Sequence, residues 1–148
     1  MNILIVEDDS FKAKSLKDFM AMTYANPSLR VAPSLVDAIE AVSESSYDLI
    51  LVDMAIPSHP AISGEGSPLS FLSGGLDVLL ELNSLERKDP CIVVTQYPEI
   101  QIGGKLYALK DAAAHIRSYL GCDVKECIMY NEDSKEWKEE MMRVISTL

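Results

Sequence analysis

Five short apolar runs constrain this chain more than any other feature: residues 3–6, 29–32, 49–52, 91–94 and 127–130. None alternates between apolar and polar positions, so each suits a strand buried on both faces, as in a parallel sheet. Parallel neighbours need long crossover connections, usually helical, and helical spacing fills the gaps. Phe11, Leu16, Phe19 and Met20 share a face, as do Leu35, Ala38, Ile39 and Val42. Ser34 precedes the second of these stripes as a candidate N-cap, with Asp37 at the third helical position. Leu76, Leu79, Leu80 and Leu82 form a third stripe. Leu106, Leu109, Ala113, Ile116 and Leu120 form a fourth, and Trp137, Met141, Val144, Ile145 and Leu148 close the chain. Strand–helix alternation of this kind predicts a three-layer α/β sandwich around a five-stranded parallel sheet, with right-handed crossovers. A single domain is expected over residues 1–148, with no internal repeat. A long loop rich in Pro, Gly and Ser is expected at 57–75, and the stretch 96–105 is also irregular.

Composition narrows the function. The formal net charge is −10 and no basic stripe is visible, which argues against nucleic-acid binding. The acidity suits a cation or a partner with a basic face. No apolar run approaches the ~18 residues of a membrane span, and residues 3–6 are too few for a signal peptide. Cys91, Cys122 and Cys127 lie in or beside apolar segments and lack zinc-site spacing, so they read as small core residues in a reducing cytoplasm.

In open α/β sheets, ligands collect beyond the carboxyl ends of the strands. Here those ends carry Glu7, Asp8 and Asp9 after the first run, Asp53 after the third, Thr95 after the fourth, and Tyr130 with Asn131 after the fifth. Convergence of Asp8, Asp9 and Asp53 would call for a hard divalent cation such as Mg²⁺, which prefers oxygen ligands. Taken singly, Asp9 or Ser10 is equally suited to capping the first helix. His59 reads as a solvated loop residue, His115 as a helix-surface residue and Trp137 as a core anchor.

The segments "ILIVEDD", "YDLILVDMAIP" and "VVT" together resemble the response-regulator receiver domain, the phosphoacceptor half of two-component signalling. The resemblance follows nearly the whole chain and implies a flavodoxin-like strand order, 2-1-3-4-5. It implies that Asp53 accepts a phosphoryl group from a phosphohistidine. It also implies Mg²⁺ held by Asp8, Asp9, Asp53 and the backbone carbonyl of Ala55, and a Thr95 hydroxyl that contacts a phosphoryl oxygen. The implied partners are a histidine kinase or phosphotransfer protein and a downstream protein, with pairing of two copies through the fourth-helix face a common family trait. The expected role is that of a stand-alone phosphoacceptor signalling domain, not an enzyme with its own substrate. Ala55 stands where an aspartyl phosphohydrolase would carry a second acid.

The chain departs from the family at three places. The family's lysine after the fifth strand, usually followed by proline, is replaced by Tyr130, Asn131 and Glu132. Lys125 lies at the other end of that strand, and Lys105 or Lys110 would have to reach in from the altered 96–110 region. Cys127 stands near the place of the switch aromatic, and Gln96 follows the threonine where a small residue is usual. These departures motivate an alternative, a receiver-like interaction module whose signalling is independent of phosphate.

Overall fold

The apolar runs pair into one parallel sheet in the computed structural model, which describes residues 1–59, 70–71 and 74–148. Its strands are β1 (Asn2–Val6), β2 (Ser28–Ala32), β3 (Leu49–Val52), β6 (Cys91–Thr95) and β9 (Val124–Met129), in the order β2-β1-β3-β6-β9. Counting only these five, the order is the expected 2-1-3-4-5, with every pairing parallel. The helices are α1 (Ser10–Thr23), α2 (Leu35–Glu44), α3 (Gly74–Ser84), α4 (Leu109–Leu120) and α5 (Glu136–Ile145).

Successive strand residues point to opposite faces, and the core divides accordingly. Leu4, Val6, Ile50, Val52, Cys91 and Val93 pack with α2, α3 and α4. Ile3, Ile5, Leu49, Leu51, Ile92 and Val94 pack with α1 and α5. Trp137 is buried in the second cluster, against Phe19 and Tyr130, as a core anchor. All three cysteines are buried, and burial pushes the Cys127 thiol up to about 12, so it stays protonated.

The capping expected at α2 is present: the Ser34 hydroxyl oxygen accepts from the Asp37 backbone N–H at 3.2 Å. Four expected stripes are each corrected at one residue, two of them simply by the exposure of Leu80 and Leu148. Phe11 is 64% exposed, whereas Lys12, Ala13, Leu16 and Met20 form the buried face of α1. The helix starts at Ser10 behind an Asp9 cap, and that phase turns residue 12 inward and residue 11 outward. Leu106 is not on the fourth helix but on a short strand, where it is 67% exposed.

That strand, β8 (Lys105–Ala108), pairs antiparallel with β7 (Glu99–Ile102) in a hairpin that replaces the irregular stretch. Gly103 and Gly104 make its turn with φ of 58° and 83°. Left-handed backbone at both central residues marks the tight hairpin turns that favour glycine. Ile100 and Ile102 turn inward and join the core on the α4 side. Most of the loop expected at 57–75 lies outside the described residues. At its edges β4 (Ile56–Pro57) pairs antiparallel with β5 (Ser70–Phe71), and α3 already begins at Gly74.

Candidate functional site

The ladder continues one residue past β1 and β3. The Glu7 N–H donates to the Ala32 carbonyl at 3.1 Å, and the Asp53 N–H donates to the Val6 carbonyl at 3.0 Å. Strand parity then sets the side chains. Glu7 follows Ile3 and Ile5, and Asp53 follows Leu49 and Leu51, so both belong to the face covered by α1 and α5.

Glu7, Asp8 and Asp53 bring carboxylate oxygens within 4.8 Å of one another. Glu7 and Asp53 are buried, while Asp8 is exposed and opens the cluster to solvent. The acid set is shifted by one residue from the expected Asp8, Asp9 and Asp53. Asp9 is occupied elsewhere: its carboxylate accepts from the Lys12 backbone N–H at 3.0 Å and caps α1. Its own N–H donates to Glu7 Oε1 at 3.1 Å, which ties the cap to the cluster. Ala55 lies half-buried two residues beyond Asp53. Thr95 ends β6, fully buried, and its hydroxyl oxygen accepts from the Tyr97 N–H at 3.2 Å. Thr95 and Met54 also border a largely apolar cavity of about 390 Å³ under the hairpin, with Tyr97, Ile100 and Leu106.

The central cation is Lys12, which no reading of the strand ends identified. It is 2% exposed. Its ammonium lies 2.6 Å from Glu7 Oε2 and 3.4 Å from Asp53 Oδ1, and donates to the Val94 carbonyl at 2.8 Å. The Tyr130 ring centroid is 5.5 Å from Nζ. Lys105, Lys110 and Lys125 are all exposed, and Lys125 pairs with Asp123 at 2.9 Å. Lys12 was legible in principle, because α1 buries the residue five places after Glu7 if Asp9 caps it.

Burial pushes the Glu7 carboxyl up to about 7, against the pull of Lys12, with the charge of Asp53 adding to the rise. Asp53 is likewise raised, chiefly by burial, while Lys12 and the Ala55 backbone hold it back. Two buried carboxylates and one exposed one, set against a single ammonium, leave two net negative charges when all are ionised. One divalent cation would balance that charge, and an all-oxygen donor set fits a hard ion such as Mg²⁺.

His59 is exposed and hydrogen-bonds only its neighbour Ser58 among the described residues. His115 is exposed on α4 and stacks on Tyr107 at 3.9 Å, remote in sequence from the cluster. Among the described residues, no helix is long and apolar enough to cross a membrane.

Comparison with known proteins agrees with this architecture. The family model of the response regulator receiver domain matches residues 3–116. The chain is 31% identical over 148 residues to the Detocs response regulatory protein DtcB of Vibrio alginolyticus, covering 98% of this chain and 99% of that protein. It is 23% identical over 152 residues to the protein of the same name from Enterobacter cloacae, covering the whole of each. Among solved structures, it is similar to the N-terminal domain of a response regulator/sensory box/GGDEF protein from Carboxydothermus hydrogenoformans, with TM-score 0.64 and 21% identity over 99% of this chain and 92% of that one. The response regulator TrrA of Thermotoga maritima, solved in complex with Mg²⁺-BeF, aligns with TM-score 0.59 and 20% identity over 97% of each chain.

Proposed function

Because the chain belongs to the response regulator receiver domain family of two-component signalling, we propose that it accepts a phosphoryl group on Asp53 and passes the signal on by protein contact. The observation that carries this reading is the placement of a buried Asp53 carboxylate at a strand end, beside two further acids and one ammonium. Receiver domains receive phosphoryl groups from histidine kinases or phosphotransfer proteins and act on downstream effectors, and a donor of that class is the expected partner here.

The transfer itself is simple. A carboxylate oxygen of Asp53 attacks the phosphorus of a phosphohistidine. The new P–O bond makes an acyl phosphate as the P–N bond breaks, and the electron pair returns to the imidazole nitrogen, which takes up a proton. Such a transfer depends on positioning and charge neutralisation more than on covalent help from the protein. Mg²⁺ would be held by Glu7, Asp8, Asp53 and the Ala55 carbonyl, and would supply charge neutralisation for the phosphoryl oxygens. Asp9, which the sequence placed among the ligands, serves instead as the cap that fixes α1 against the cluster. Thr95, at the end of the neighbouring strand, would supply the hydroxyl that contacts a phosphoryl oxygen.

A small phosphodonor such as acetyl phosphate tests the reading. With Mg²⁺ present, intact mass should show a single hydroxylamine-labile phosphoryl adduct, absent from Asp53→Asn. An unmodified wild-type protein under every donor would sink it. Partner capture that is unchanged by Asp53→Asn would favour the phosphate-independent module instead.

A further inference from the structure

We propose that Lys12, carried by the first helix, is the cation that holds the phosphoryl group on Asp53. In the resembled family that task belongs to a lysine after the last strand, a place filled here by Tyr130. The inference rests on Asp53 being the acceptor.

Three observations carry it. Among the chain's nine lysines, Lys12 alone is buried. It occupies a helix face otherwise built from Ala13, Leu16 and Met20. Burying a lysine there is costly, and an ion pair inside a protein often returns little more than its desolvation cost. A lysine kept on such a face for packing alone would be served as well by methionine. Second, its ammonium is aimed at the acceptor. With Nζ 3.4 Å from Asp53 Oδ1, a group bonded to that carboxylate enters its hydrogen-bonding reach. Third, the position is fixed from both sides. Glu7 and the Val94 carbonyl hold the ammonium at 2.6 and 2.8 Å, and the Tyr130 ring lies beside it. Tyr130 follows β9 and its N–H bonds the Thr95 carbonyl at 2.8 Å, so the strand end is in place but presents a ring. The cation has thus moved from the strand that ends the sheet to the helix that follows the acids. A phosphoryl group on Asp53 would draw the ammonium away from Glu7, and so would act first on α1.

Beryllofluoride with Mg²⁺, a stable mimic of the aspartyl phosphate, is the probe. Wild-type protein should bind it and Asp53→Asn should not; no binding by wild type would overturn both the acceptor reading and this inference. Lys12→Met should bind it roughly tenfold to a hundredfold more weakly, the loss expected for one charge-assisted hydrogen bond. Its Mg²⁺ affinity should be no weaker than that of wild type, since a competing cation has gone. Equal beryllofluoride affinity in Lys12→Met and wild type would overturn the role of Lys12 while leaving Asp53 as acceptor. Should Lys12→Met not fold, the native protein supplies the test through the ¹⁵Nζ resonance of its one buried lysine. That resonance should shift on addition of beryllofluoride, and an unmoved signal would overturn the proposal.

Discussion

Glu7 is the residue whose chemistry is set most sharply by its surroundings. Its carboxyl is raised to about 7 by burial despite the ammonium beside it. A carboxyl raised in the folded state favours folding while protonated. That contribution is complete below the unfolded value near 4.5 and is lost as pH rises through about 7. Metal-free protein should therefore lose up to about 3 kcal/mol from this group between pH 4.5 and 8. Urea denaturation in chelator should show Glu7→Gln flattening that fall and gaining on wild type at pH 8. Added Mg²⁺ should stabilise wild type at pH 8 far more than the variant. An identical pH dependence for the two proteins would count against a raised Glu7. The acids were legible as a group from the run ahead of them, but their assignment was not. The parity of Ile3, Ile5 and Glu7 makes Glu7 a member of the cluster, whereas Asp9 spends its carboxylate on the helix cap. Lys12 was hidden because a charged residue is ordinarily placed on a helix's solvent face, and only an ionic partner at a strand end reverses that expectation.

Each element bordering the site is held by a contact with its own signature. Helix α3 begins against the acceptor segment: the Gly75 N–H donates to the Met54 carbonyl at 3.0 Å. A Cβ at Gly75 would lie 2.4 Å from the Asp53 carbonyl oxygen and 2.9 Å from Met54 Cα. Both obstacles are backbone, so relief requires the start of α3 and the segment carrying Asp53 to move apart. Gly75→Ala should cost about 1–3 kcal/mol by urea denaturation, in the range for overpacking, and should weaken Mg²⁺ binding in the same protein. An unchanged Mg²⁺ affinity would show that the acceptor segment tolerates the shift. Away from the site, Asp89 ties the start of β6 to the turn before β3. It accepts from the Tyr47 N–H at 2.7 Å and Arg87 Nε at 3.0 Å, and Arg87 also donates to the Val42 and Ser45 carbonyls. Asp89→Ala leaves a largely buried guanidinium without its carboxylate and should cost about 3 kcal/mol, with Mg²⁺ affinity unchanged. The strands and most helices were legible because apolar runs and periodic stripes report burial directly. The β7–β8 hairpin was equally written in "EIQIGGKLYA", where alternation flanks a Gly-Gly turn. It was obscured because Leu106 stands at helical spacing from Leu109, Ala113 and Ile116, and that stripe claimed it for the fourth helix.

At the scale of the molecule, the sheet divides the site's consequences between two layers. Glu7, Asp53 and Tyr130 continue the strand positions that face α1 and α5, whereas Thr95 continues Cys91 and Val93 toward α2, α3 and α4. The first layer has a built-in reporter. Trp137 is the chain's one tryptophan, 1% exposed, with its ring 5.1 Å from Tyr130 and 5.4 Å from Phe19 on α1. Tyr130 in turn borders the Lys12 ammonium, so an aromatic chain leads from the carboxylates to α5. Close-packed cores transmit a displaced charge as a shift of neighbouring rings. Beryllofluoride with Mg²⁺ should therefore change Trp137 emission in wild type and leave it unchanged in Asp53→Asn. Tyr130→Phe separates packing from hydrogen bonding along that path, because the Tyr130 hydroxyl is buried with no hydrogen-bond partner among the described residues. Removing it should leave the fluorescence response intact and cost nothing in stability, since a buried unsatisfied hydroxyl is itself unfavourable. Tyr130→Ala should abolish the response by breaking the ring contact. Beryllofluoride binding detected by ¹⁹F NMR with no change at Trp137 would show that the α1–α5 layer does not register the acceptor, and would direct the search for output to the face where Thr95 meets the hairpin.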